Sequence, residues 1–229
     1  MGAADDMEVE HVDLEEEQPL VNEDDEEEDV SDLQDALEEA QALKDPAARI
    51  PLLNSIIENM DKTGATASQI KERAVYDLIR AYCGVSQYDK IVTFLVDHEE
   101  AFLSTVTKAK TARLVRQILD IVESLIDDLN IQERVARSML EWTIAHKRSF
   151  LRQRVQAKLA SILYHQEKYA EALDLIEKLL VELKKLDDKQ LLVESHLLES
   201  QLYFAVSNLP KAKAALTASR TAANEIYVT

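Results

Sequence analysis

A 40-residue repetition in the last eighty residues limits this chain more than any other feature. Ile162, Leu163, Tyr169, Ala172 and Ile176 recur as Leu202, Tyr203, Leu209, Ala212 and Leu216, each 40 positions later. A fixed period of this length, with an aromatic or aliphatic residue ahead of a small one, marks stacked helical hairpins. Such a hairpin cannot bury its apolar face alone, so it needs neighbours on both sides. The spacing also settles an ambiguous segment upstream. Ile91 to Val96 is rich enough in β-branched residues to be a buried strand. Tyr88, Ile91 and Leu95, however, match the spacing of Tyr169, Ala172 and Ile176 at almost two periods, and the segment reads as helix.

The remaining chain has the same character. Three glycines, four prolines and 5% aromatics in 229 residues are too little turn chemistry for a sheet protein. Ser31 and Asp32 are placed to cap a first helix carrying Leu33, Leu37 and Ala40, which ends before Pro46. Leu52, Leu53, Ile56 and Ile57 face a second. A third, from Ser68 to Tyr82, carries Ile70, Ala74, Leu78 and Ala81, with Gly84 placed to end it. Lys108 to Ile126 is amphipathic through Leu114, Ile118, Ile121 and Leu125. Val135, Met139, Trp142 and Ala145 mark the next helix, and Phe150, Val155, Leu159 and Leu163 another. Leu173, Ile176, Leu180 and Leu183 form the stripe of 168–186. Helix 189–206 is apolar on a wider arc, which suits a helix packed between two neighbours. Leu209, Ala212, Leu216 and Ile226 are expected to hold the last helix against it. The expected fold is all-α: a right-handed α-solenoid of about five TPR-like antiparallel helix pairs.

Charge divides the chain in two. Residues 1–30 hold 15 Asp or Glu and no Lys or Arg, whereas the rest balances 29 acids against 26 bases. So acidic a block cannot bury enough apolar surface to offset its ordering entropy, and it reads as a disordered tail. Such a tail binds a basic partner, repels a wrong one, or serves as a solvated extension. The lone Cys83 rules out a disulfide framework within the chain and favours a reducing compartment. No apolar run reaches 18 residues, and the acidic N-terminus is unlike a signal peptide.

Catalytic signatures are missing. His11, His98, His146, His165 and His196 fall in no HExxH pattern, and no GxGxxG, Walker-type or GxSxG loop occurs. Cys83 lacks the cationic neighbour or helix-start position that would activate a thiol. Neither enzyme activity nor a cofactor or metal is expected. The near-neutral helical part does not suit phosphate neutralisation, which argues against nucleic acid. Two basic clusters remain, Lys108-Lys110-Arg113-Arg116 and Lys147-Arg148-Arg152-Arg154, as candidate protein-interface patches for acidic partners.

Longer stretches carry a resemblance. Lys147-Arg148-Ser149-Phe150-Leu151-Arg152-Gln153, Leu183 to Lys189, Leu197-Leu198-Glu199-Ser200, Ser207 to Thr217 and Arg220 to Asn224 with Ile226-Tyr227 resemble the 26S proteasome non-ATPase regulatory subunit 11 family. Lys108 to Arg116 looks like the same family. The likeness is strong over 107–227, weak over 31–106 and absent over 1–30. It implies the solenoid of a scaffold in the regulatory-particle lid, with no catalytic residues. The implied partners are an α-type subunit of the proteasome core, a proteasomal ATPase subunit and other lid subunits, in cytoplasm and nucleus. The family continues beyond its Ile-Tyr pair into a PCI domain, whereas Val228-Thr229 follow here. The expected organisation is therefore a tail over 1–30 and a solenoid over 31–229, without the PCI domain. The other reading is a free-standing TPR-like adaptor that takes a peptide or helix in its concave groove.

Overall fold

Helix starts reproduce the period. The structure, a computed structural model, describes residues 29–186 and 188–226. Ten α-helices lie among the described residues: α1 (Ser31–Ala42), α2 (Pro46–Glu58), α3 (Ala65–Gly84), α4 (Tyr88–Asp97), α5 (Lys108–Leu125), α6 (Leu129–Ala145), α7 (Ser149–His165), α8 (Tyr169–Leu186), α9 (Lys189–Ala205) and α10 (Leu209–Ile226). A π-helical turn, Glu99–Leu103, links α4 to α5. No strand occurs among the described residues, and Ile91 to Val96 lies within α4. The acidic stretch read as a tail lies, up to residue 28, outside the described residues.

The pairs stack as a solenoid. From α1 to α4 and from α5 to α10 each helix packs on its sequence neighbours, and like helices of adjacent pairs meet, as α3 does on α5, α4 on α6 and α7 on α9. One apolar core runs continuously from Leu33 in α1 to Leu202 in α9. Each fully buried Leu or Ile contributes about 1.5–3 kcal/mol, so the shared core outweighs any single surface pair. Ion pairs also tie successive pairs together, Arg134 to Asp89, Arg137 to Glu171 and Lys168 to Glu133, while Lys189 to Glu225 joins the two helices of the last pair. Exposed pairs of this kind contribute at most about 1 kcal/mol each.

Four turns share one geometry. Ser86, Lys147, Glu167 and Ser207 all have positive φ, between 52° and 60°. Around Ser207, the Asn208 N–H donates to the Tyr203 carbonyl at 2.8 Å and the Ser207 N–H to that of Phe204 at 2.9 Å. This is the Schellman arrangement, which usually places glycine at the left-handed position. Non-glycine residues there cost roughly 1 kcal/mol. Ser207→Gly is therefore expected to stabilise the chain by up to about 1 kcal/mol, read as a raised thermal midpoint. The same change at exposed Ser104, whose φ of −66° is ordinary, should not.

The helix ends correct two readings. Gly84 does not supply the left-handed stop of α3; that position is Ser86, and Gly84 is the last helical residue. A Cβ on Gly84 would meet the Pro46 ring at 3.3 Å, so the glycine instead admits the start of α2. Nor do Ser31 and Asp32 cap α1 with their side chains, since Val30 is the N-cap. The Asp29 carboxylate accepts from the Ser31 N–H at 3.0 Å and its hydroxyl at 2.7 Å.

Burial also departs from the stripes at helix ends. Leu125 is exposed because Ile126, in the extended residue leaving α5, takes the inward place. Phe150 is exposed in the first turn of α7, where Leu151 points inward. Ala145 is exposed too, whereas Trp142 is core as expected. The largest departure is α10. Ala212, Ala215, Ser219 and Ala222 face α9, while Leu209, Leu216 and Ile226 are exposed. Small side chains let the two backbones approach. The Ser200 hydroxyl donates to the Ala212 carbonyl at 2.9 Å, and that of Ser219 to the Val193 carbonyl at 3.1 Å.

Candidate functional site: the groove of α5, α7 and α9

The first helices of the last three pairs line a groove of about 390 Å³. Helical spacing places Arg116, Leu119 and Asp120 on one face of α5, and Arg154, Ala157, Lys158 and Ser161 on one face of α7. From α9 come Leu191, Glu194, Leu197, Leu198 and Gln201. The α5–α7 side is thus rich in cations, while α9 offers an apolar ridge with Leu197 exposed.

The two basic clusters divide between this groove and other tasks. Arg116 lines it with only a 3.3 Å bond to the Ala112 carbonyl. Arg154 also lines it, and reaches Asp188 at 3.3 Å, the residue that caps α9 through the Leu191 N–H at 3.0 Å. Arg154 therefore helps to seat α9. Arg152 binds Glu182 of α8 at 2.5 Å, and Lys110 reaches the Ser68 hydroxyl at 3.3 Å. Lys108 is exposed at the start of α5, and Lys147 holds the left-handed position of the α6–α7 turn. Arg148, half-buried in that turn, has one buried guanidinium nitrogen without a partner.

Arg113 is engaged by Glu72, a carboxylate buried in α3. Its guanidinium donates to both oxygens at 2.7 Å, and the Tyr76 hydroxyl adds a short bond to the same carboxylate. Burial alone would push the Glu72 carboxyl up. The bonds from Arg113 and Tyr76, with the Arg113 charge, outweigh it and hold the group below its ordinary value. The unfolded chain therefore takes up the proton first as pH falls, and the stability present at neutral pH is lost through the folded value. Glu72→Gln should flatten the loss of stability between about pH 5 and 3, followed as the urea midpoint against pH. An equally steep loss in both proteins would place the acid sensitivity elsewhere.

Lys158 is the groove cation that cluster reading passes over. It binds Glu123 and lies 3.6 Å from Asp120, so it joins α7 to α5. Its spacing from Arg154, one helical turn, was available as a signal. Beyond it, Tyr164, Phe204, Leu209, Ala212 and Leu216 border an apolar hollow of about 350 Å³. Burial raises the Cys83 thiol to about 11, far from an activated nucleophile. No cluster of three His, Cys, Asp or Glu suited to a metal occurs among the described residues. None of the described helices is long and apolar enough to cross a membrane.

Stacked hairpins with a side groove define the chain as an α-solenoid of the repeat type, an architecture in which stacking creates extended surfaces. Residues 31–166 match the 26S proteasome regulatory subunit RPN6 N-terminal domain. The chain belongs to that family, and the match reaches through the stretch 31–106, where the likeness of individual segments is weak. It is 44% identical over 179 residues to the 26S proteasome non-ATPase regulatory subunit 11 homolog of Arabidopsis thaliana, covering 78% of this chain and 42% of the relative. Identity is 40% over 157 residues to the probable 26S proteasome regulatory subunit rpn6 of Schizosaccharomyces pombe, covering 69% and 37%. It is 38% over 157 residues to the 26S proteasome regulatory subunit RPN6 of Saccharomyces cerevisiae, covering 69% and 36%. The chain spans about two-fifths of the length of these curated relatives.

Proposed function

We propose that this chain acts as a non-catalytic scaffold of the proteasome regulatory-particle lid, bridging the proteolytic core and the ATPase ring. Family membership over residues 31–166 carries the reading. An uninterrupted solenoid core supports it, because a stack of hairpins transmits position along its length and offers side surfaces for protein partners. Its partners in this role are an α-type core subunit, an ATPase subunit and other lid subunits, and its place is the cytoplasm and nucleus. The eight cations of the two basic clusters are the first residues to test at those contacts.

The test is co-purification with the tagged full chain, with recovered proteins identified by mass spectrometry. Core and ATPase subunits are expected together. Lid subunits alone, or no proteasome subunits, would sink the bridging role. Recovery of a single non-proteasomal protein, lost on Arg116→Glu, would favour the groove-binding adaptor instead.

A further inference from the structure

The groove of α5, α7 and α9 has a chemical counterpart within the same chain. Its α5–α7 side carries Arg116, Arg154 and Lys158 with one carboxylate, Asp120, and its α9 side Leu197 and Leu198 next to Glu194. A fitting occupant places carboxylates and aliphatic side chains alternately along one short segment. Glu8-Val9-Glu10-His11-Val12-Asp13-Leu14-Glu15 has that pattern, with His11 as a donor for Glu194. Asp29, the first described residue, lies fifteen positions after Leu14, and extended chain spans about 3.3 Å per residue, so roughly 50 Å is within reach. We propose that residues 8–15 of this chain dock intramolecularly in the groove of α5, α7 and α9.

Arg116 is the recognition point. Arg154 and Lys158 already hold carboxylates of the neighbouring helices, Asp188 at the start of α9 and Glu123 of α5, whereas Arg116 bonds only a carbonyl. Asp13 supplies it with a charged partner, while Val12 and Leu14 cover the exposed Leu197. Tethering raises the local concentration of the segment to about the millimolar range, so a weak site fills. The contact is electrostatic at its rim and weakens with salt. The docking stands whether or not the chain joins a proteasome.

Paramagnetic relaxation in the full chain tests this. A spin label is placed at Glu10→Cys in a Cys83→Ala background, and backbone amide signals are recorded at about 50 mM and 500 mM salt. Signals within 113–123, 154–161 and 194–201 are expected to fall at least twofold at low salt and to recover at high salt. Arg116→Glu should abolish the loss, and adding Asp13→Lys to that variant should restore it. Asp13→Lys alone, which alters no described residue, should weaken the effect and guards against a folding defect in the groove variant. Mixing spin-labelled chain with isotope-labelled, spin-free chain separates a tether from a second copy. Broadening only in the mixture, broadening elsewhere, insensitivity to Arg116→Glu, or no broadening overturns the proposal.

Discussion

Phe102→Ala is expected to destabilise the chain by about 3–5 kcal/mol, the largest loss from any change in the α4–α5 connection. Phe102 is 1% exposed, yet it lies in a π-helical turn rather than a regular helix. The turn packs on α2 and α4, so the side chain joins the first pairs to the link that leads into the third. Leu103 N–H donates to the His98 carbonyl and Ser104 N–H to that of Glu99, the wide spacing that defines the turn. His98 stacks on Phe94 at 4.5 Å directly before it. Truncating the ring leaves a cavity that this tightly bonded segment cannot collapse to fill. Phe102→Leu should recover most of the loss. Glu99→Gln, which removes only a half-exposed contact with His146, should cost under about 1 kcal/mol. Urea unfolding of the three variants checks the order. If Glu99→Gln proved as costly as Phe102→Ala, the charge contact would be the fastener.

The contrast between that turn and the helices around it shows what sequence can report. Periodicity marks residues that share a buried face over several turns, which is why Leu173, Ile176, Leu180 and Leu183 disclosed α8 and Tyr88, Ile91 and Leu95 disclosed α4. Leu173 is half-buried and the other three of the α8 stripe are buried. At helix ends the chain direction changes, and the next residue can take the inward place. Ile126 displaces Leu125 in this way, and Leu151 displaces Phe150. The π-helical turn is one short turn with no period to detect. Left-handed stops at Ser86, Lys147, Glu167 and Ser207 were equally silent, because glycine is the usual signal and none occupies them.

The groove was legible only in part for a related reason. Clusters of Lys and Arg along the chain count charges, whereas a groove selects residues one helical turn apart on separate helices. Arg116 and Arg154 belonged to both descriptions. Arg113 and Arg152 belong to inter-pair fastenings with Glu72 and Glu182, and Lys158 entered only when α5 and α7 were side by side. Carboxylate partners some 30–45 positions away decide which cations stay available. That distance is about one repeat, so the periodicity that gives the fold also sets where each charge finds its partner.

Ala215→Trp should separate α10 from α9 while leaving the rest of the solenoid folded. Ala215 is 5% exposed on a face made of Ala212, Ser219 and Ala222, and the backbones are close enough for serine hydroxyls to reach carbonyls across the gap. An indole cannot enter without pushing the helices apart, and overpacking of this sort costs about 3 kcal/mol. Both hydroxyl bonds then break as well. The leucines do not compensate, because Leu209 and Leu216 lie on the exposed flank of that face, bordering the apolar hollow. Since a solenoid's stability sums over pairs and their nearest interfaces, the damage stays local. Amide exchange should accelerate throughout 209–226, while 149–165 and 169–186 keep their protection. Leu216→Ala, on the exposed face, should leave α10 protected. Were Leu216→Ala the more damaging change, the leucines would be the adhesive face and the small-residue seam incidental. The expected order follows from the seam itself: where two helices meet through alanine and serine, added volume does more harm than lost apolar area.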